Sequence, residues 1–236
     1  MRQKTGLLSL LLAFLLLAGF SAFVVSCADS KDDSSPGTTT GTDFGNRIPK
    51  DYFVTSGKGQ TDIGPGDDPW ETGSYDLALM DARIENFNVT QYSSVLPPES
   101  NEIPIDDAVG TFHHGAVIET IMASVNGVKG NTLATGVGRI QVKRKSDGRH
   151  IGGFAAEYEK VHLEEIALAD AEKAANDLLH ISLMGEVNRR YSSDEYEFFD
   201  EKHEVSAFKI EKNYGTSLVA LGWVSYIYPE EPAVQE

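Results

Sequence analysis

Only one cysteine, Cys27, occurs in the 236 residues. A lone thiol closes no intramolecular disulfide, so a hydrophobic core must hold the folded part together. Positive charge is also scarce. Against 36 aspartates and glutamates stand 20 lysines and arginines, a formal net charge of -16 at pH 7. That balance argues against a nucleic-acid partner and repels phosphates, while it can raise the encounter rate of a cationic small molecule or simply serve solubility. Lys143-Arg144-Lys145 is too short for a nucleic-acid patch and reads as the solvated end of a strand and hairpin. The 22 glycines include no Gly-Lys-Ser/Thr loop and no dinucleotide fingerprint, so Gly59 to Gly66 and Thr135-Gly-Val-Gly138 read as tight turns. There is no internal repeat and no second linker of domain-boundary character.

One long apolar run exists, Leu7 to Val25, behind the basic start Met1-Arg2-Gln3-Lys4. It ends in Val24-Val25-Ser26-Cys27, which reads as a lipobox, making residues 1–26 a signal peptide of lipoprotein type and Cys27 the lipidation site. The competing reading is an uncleaved transmembrane anchor, since the run approaches the ~20 residues that span a bilayer. Both readings export the downstream chain to the periplasmic or cell-surface side of a membrane. Residues 27–45 are rich in Asp, Ser, Thr and Gly without hydrophobic period, the composition of a flexible tether. Residues 46–236 form the folded domain.

Within that domain, Thr72 or Ser74 can cap a helix whose Leu77, Met80 and Ile84 share one face. Val117 to Val125, Val137 to Val142 and Gly153 to Tyr158 read as strands. In the second, Ile140 and Val142 alternate with Arg139, Gln141 and Lys143, which predicts one solvated face. Leu163, Ile166, Ala167, Ala171, Ala174, Leu178 and Ile181 recur at helical spacing, with Gly185 as a stop. Val205 to Ile210 and Leu218 to Tyr228 are strands, the last apolar on both faces and so buried between layers. Strands with a few covering helices give an α+β sandwich. His113-His114 lacks a cysteine or a clear third ligand, and no metal is expected.

The most informative stretch is Asn88-Val-Thr-Gln-Tyr-Ser93-Ser94-Val-Leu-Pro97-Pro98-Glu99. Serines followed by prolines commonly mark a turn leaving a strand. A serine can also attack the carbonyl before it, and elimination from the resulting ester leaves a dehydroalanine that hydrolyses to a pyruvoyl ketone. Other segments appear with this stretch in a particular order. They are Tyr52-Phe53, Tyr75-Asp76-Leu-Ala-Leu-Met-Asp-Ala, Ala156-Glu157-Tyr158-Glu159, an alanine-rich helix, and the apolar strand Ser217 to Tyr228. As an ordered set, from about Pro49 to Tyr228, they resemble the pyruvoyl-dependent arginine decarboxylases.

The resemblance implies a four-layer αββα sandwich, assembled as a trimer of self-cleaved protomers with active sites between neighbours. It implies cleavage between Ser93 and Ser94, with Ser94 becoming the covalent pyruvoyl cofactor and Ser93 a new carboxy terminus. No external cofactor is then needed, because the ketone forms a Schiff base with the amine of arginine and accepts the electrons left by CO2. By the same resemblance Glu157 is the proton donor that completes agmatine, Asn88 assists processing or substrate positioning, and Asp76 meets the substrate guanidinium. The residues themselves also permit plainer roles: a turn for Asn88, a helix first-turn acid for Asp76, and a solvent-facing ion-pair partner for Glu157 or Glu159. Glu157 and Glu159 share a strand face, so spacing does not separate them. Between Phe53 and Asp76 the chain departs from the family with a Gly-rich acidic loop, Gly57 to Glu71, which leaves another amino acid, such as histidine, as an alternative substrate. A second alternative is an unprocessed surface lipoprotein that uses the same fold for binding or structure.

Overall fold

The structure, a computed structural model, describes residues 47–64 and 66–228. The leader 1–26, the lipidation site Cys27 and the tether 27–45 lie outside the described residues. Among those described, no helix is long and apolar enough to cross a membrane.

In chain order the strands are β1 (Ile48–Pro49), β2 (Asp51–Thr61), β3 (Asn88–Gln91), β4 (Val95–Leu96), β5 (Asn101–Glu102), β6 (Val117–Val128), β7 (Thr132–Arg144), β8 (His150–His162), β9 (Tyr196–Lys209), β10 (Tyr214–Trp223) and β11 (Tyr226–Ile227). The α-helices are α1 (Asp76–Asp81), α2 (Ile105–Ala108) and α3 (Leu168–Arg190). Five strands form one sheet in the order β3-β6-β10-β2-β5, four form a second in the order β4-β8-β7-β9, and β1 pairs with β11 in a short ribbon.

Alternate residues of each sheet point inward, and the two inner faces share one core. Tyr52, Ile121, Ala123, Val219, Leu221 and Trp223 from the larger sheet meet Leu96, Val137 and Ala155 from the smaller. The outer face of the larger sheet, with Phe53, Ile118, Met122 and Leu218, packs against Ala78, Leu79 and Ala82 of the α1 region. Ile140, Val142, Phe154 and Ala156 on the outer face of the smaller sheet pack against Leu179, Leu183 and Val187 of α3. The layers therefore run helix, sheet, sheet, helix, a mixed α and β arrangement. The apolar strand β10 lies centrally in the larger sheet and is buried from Gly215 to Trp223, as its two apolar faces predict, but it ends there rather than at Tyr228: Tyr226 and Ile227 form β11, and Ile227 and Tyr228 are exposed.

Several local expectations give way to this layering. Arg139 and Gln141 are buried rather than solvated, because they face the five-stranded sheet; Arg139 donates to Glu102 through Nε at 3.0 Å and through a second nitrogen, and His150 of the neighbouring strand β8 meets Gln141 at 3.0 Å. The first helix begins with a π-helical turn, Glu71–Tyr75, without side-chain capping. It buries Ala78 and Leu79 and leaves Leu77 and Met80 exposed, while Ser74 is buried against the Thr216 hydroxyl at 2.8 Å. In α3 the buried stripe is Ala171, Ala175, Leu179, Leu183 and Val187, with Leu178 and Ile181 exposed. The helix continues through Gly185 to Arg190. His113 and His114 sit in a turn, where His114 meets Asn86 at 3.0 Å.

Four glycines expected in turns or loops are strand residues beneath helices. Gly57 and Gly59 belong to β2, and a Cβ on either would fall 2.0 Å from a backbone oxygen, of Ala78 or Ser74 respectively. Gly136 and Gly138 do the same for α3, where a Cβ would lie 2.9 Å from Leu179 Cδ1 or 3.0 Å from Leu183 Cδ1. Absence of a side chain lets each helix lie directly on its sheet. Gly57→Ala, which must displace α1 backbone rather than a flexible side chain, is expected to lower stability by about 1–3 kcal/mol, the range for overpacking a filled interior. Urea unfolding of the variant measures it, and an unchanged midpoint would mean that α1 is not held this closely.

Candidate active site

The two serines lie where the chain passes from one sheet to the other. Strand β3 runs parallel to β6, with Thr90 opposite Glu119, and the Tyr92 N–H extends the pairing by donating to the Thr120 carbonyl at 2.7 Å. Two residues later the Ala155 N–H donates to the Ser94 carbonyl at 2.8 Å, and β4 pairs with β8 in the other sheet through Val95 opposite Phe154 and Leu96 opposite Gly153. The Ser93–Ser94 peptide is thus the span between two backbone anchors in different sheets. Ser93 is exposed and Ser94 half-buried. Pro97 ends β4, and its carbonyl accepts from the Ser100 N–H at 3.0 Å to close the turn.

Strand β8 brings Glu157 to this span. Ala155, Glu157 and Glu159 alternate on the face turned toward the other sheet, which sets the Glu157 carboxyl beside the Ser94 side chain. Crowding by protein atoms raises the Glu157 pKa above the ordinary carboxylate value, reinforced by the nearby charges of Glu159 and Glu186 and opposed by hydrogen bonds from its own backbone and from Ser94. More than a third of the residue's surface is nevertheless open to solvent in the isolated chain. Glu159 has different work: its Oε1 accepts the Ser124 N–H at 2.8 Å, on the stretch of β6 beyond its pairing with β3. The two acids that spacing leaves equivalent are therefore distinguished by their partners.

Asn88 and Asp76 stand apart from Ser94 within one chain. The Asn88 side-chain amide donates to the Gly115 carbonyl at 2.9 Å and its backbone N–H to Ala116 at 2.8 Å, tying the start of β3 to the turn before β6. Asp76 opens α1 on the outer face of the larger sheet; it is exposed, and no ion pair or side-chain hydrogen bond among the described residues uses it. No group of three His, Cys, Asp or Glu residues among those described could hold a metal ion.

Two ion pairs, each with one buried member, escaped the sequence reading. One is Arg139 with Glu102, to which Lys202 adds a contact at 3.4 Å. The other is Glu119, buried on β6 and paired with Arg47 ahead of β1. A single acid inside the apolar run Val117 to Val125 was the available signal for the second, since charged residues are seldom buried without a partner.

A serine beside a carboxyl of raised pKa, at the crossover between the two sheets of an α+β fold, is the feature that sets this site apart. A family model for pyruvoyl-dependent arginine decarboxylase matches residues 51–228. The chain is similar to the pyruvoyl-dependent arginine decarboxylase AaxB of Chlamydia abortus, 40% identical over 190 residues that cover 78% of this chain and 94% of that protein. It is likewise similar to AaxB of Chlamydia muridarum, at 38% over 197 residues, covering 81% and 99%. Similarity to pyruvoyl-dependent arginine decarboxylase 2 of Methanosarcina mazei is more local, 32% over 76 residues, or 32% and 38% of the two chains. The chain belongs to the pyruvoyl-dependent arginine decarboxylase family, lyases that work with a covalently bound pyruvoyl group.

Proposed function

We propose that this protein converts L-arginine to agmatine and CO2 with a pyruvoyl group made from its own Ser94. The observation that carries the reading is the place of Ser94 at the crossover between sheets, its carbonyl held by the Ala155 N–H at 2.8 Å and its side chain beside the Glu157 carboxyl. The residues suit the group: Ser94 supplies the carbons, its backbone is pinned by Ala155, and a titratable carboxyl lies against its hydroxyl. In processing, the Ser94 oxygen attacks the Ser93 carbonyl carbon and the peptide C–N bond breaks, leaving an ester and a free amine on residue 94. Loss of the Ser94 Cα proton then expels the Ser93 carboxylate, and hydrolysis of the dehydroalanine releases ammonia and leaves the ketone. Ser93 ends the smaller fragment, and position 94 begins the larger one.

The pyruvoyl group supplies an electron sink for the bond between the substrate α-carbon and its carboxylate. Glu157 delivers a proton to that carbon once CO2 has left, so each turnover consumes one proton. A raised pKa suits this task, because it keeps the acid form populated toward neutral pH. The Asp76 carboxylate can accept two parallel hydrogen bonds from the substrate guanidinium. Its exposure, and its place on the layer away from Ser94, fit a site completed by a neighbouring protomer in a trimer. Asn88 positions the segment leading to the serines through its bond to Gly115. Export and lipid anchoring at Cys27 complete the proposal and place the reaction outside the cytoplasm, on a membrane surface.

Substrate is tested by product analysis with arginine, lysine, ornithine and histidine. Arginine is expected to give agmatine and stoichiometric CO2, and the others little. Release of CO2 from histidine instead would reassign the substrate, whereas none from any amino acid would favour a binding or structural lipoprotein.

A further inference from the structure

Glu119 and Arg47 form a cluster just upstream of the serine pair, and the decarboxylation chemistry leaves it without a role. Glu119 is 5% exposed on the inner face of β6, and Arg47 is its one side-chain hydrogen-bond partner among the described residues. The same guanidinium donates to the Tyr92 hydroxyl at 3.3 Å and lies 4.7 Å over the Tyr226 ring. Tyr226 pairs across from Pro49 in the ribbon of β1 and β11, which holds the Arg47 segment against the domain. Tyr92 is the last residue tied to the larger sheet before the crossover, and its backbone partner Thr120 is the neighbour of Glu119 on β6. A buried carboxylate requires a cation, so Glu119 fixes where the Arg47 guanidinium sits, and Arg47 in turn fixes the Tyr92 ring.

We propose that the Arg47–Glu119 pair is a positioning device for self-processing, acting through Tyr92 on the peptide between Ser93 and Ser94. The inference rests on the proposed cleavage at that bond. Attack requires the Ser94 oxygen to sit about 3–3.5 Å from the Ser93 carbonyl carbon, and a displacement of about 1 Å can slow such a step about 100-fold. The downstream side of the bond is held by the Ala155 N–H, which binds the Ser94 carbonyl. On the upstream side Tyr92 is the anchor, held at its backbone by Thr120 and at its hydroxyl by Arg47. Releasing the hydroxyl lets the ring swing and carries the Ser93 carbonyl with it. Arg47 itself lies just ahead of residues 51–228, which the family model matches, while Tyr92 and Glu119 lie within them.

The test monitors chain splitting in the full-length protein after a pulse of cell-free synthesis, by denaturing electrophoresis, for wild type, Tyr92→Phe, Arg47→Ala and Arg47→Lys. Splitting is expected to slow about tenfold or more in Tyr92→Phe and Arg47→Ala, with partial recovery in Arg47→Lys. Arg47→Ala strands a buried carboxylate and can weaken the fold. Tyr92→Phe keeps the ring and removes only the hydroxyl, so its thermal unfolding midpoint should match wild type while its splitting lags. A wild-type rate in Tyr92→Phe overturns the proposal. A wild-type chain that stays whole instead overturns the cleavage reading and this device with it, and the two failures are told apart by the wild-type lane alone.

Discussion

Replacing Ser94 with alanine leaves the protein as one chain and removes decarboxylation altogether. Alanine has no oxygen to attack the Ser93 carbonyl, and neither the peptide cleavage nor the ketone can arise by another route from a methyl side chain. The fold should be untouched, because Ser94 contributes a backbone carbonyl to the Ala155 N–H, and that bond does not depend on its side chain. Denaturing electrophoresis and agmatine release measure the two effects together. An alanine variant that still splits would place the nucleophile elsewhere, and one that stays whole yet still releases agmatine would separate the chemistry from the cleavage.

Glu157→Gln has the second largest effect, and it falls on turnover. A glutamine at this position keeps the size and shape of the side chain beside Ser94, so splitting should proceed. It has no proton to give, so kcat should fall about 100- to 10,000-fold, the range for removing a general acid. The pH dependence carries the same signature. Burial raises the carboxyl's pKa, so the acid form persists above the ordinary carboxylate range, and activity should decline as pH rises through that raised value. In the glutamine variant that alkaline limb should vanish. Undiminished turnover would remove Glu157 from the mechanism and return it to an ion-pairing role.

The sequence revealed this site more readily than its surroundings. Ser93, Ser94 and Glu157 stood out through resemblance, and the structure sets Glu157 beside Ser94 where the chain enters β4 against β8. Spacing could not choose between Glu157 and Glu159, because that choice depends on Ser124 of β6, which engages only the second acid. Arg139 and Gln141 looked solvated for a related reason. Alternation reports that a strand has two kinds of face, but not that the polar face meets another sheet, where Glu102 pairs with Arg139.

Helix faces were misread because small residues weigh little in a hydrophobic pattern. Ala171 and Ala175 face the sheet so that α3 can approach it closely, while the larger Leu178 and Ile181 point outward. The glycines beneath the helices form the other half of that contact, and their spacing within β2 and β7 resembled turns only while the helices were out of view. Asp76 is the reverse case. Resemblance named it, yet a single chain keeps it on the outer layer away from Ser94. Its proposed role therefore requires a second protomer.

The central claim is most directly tested by the intact mass of the purified mature protein under denaturing conditions. Two fragments are predicted, the smaller ending at Ser93 and the larger beginning at position 94 with a ketone that reacts with a hydrazine probe and resists amino-terminal sequencing. One undivided chain with an ordinary serine at position 94 would contradict the account.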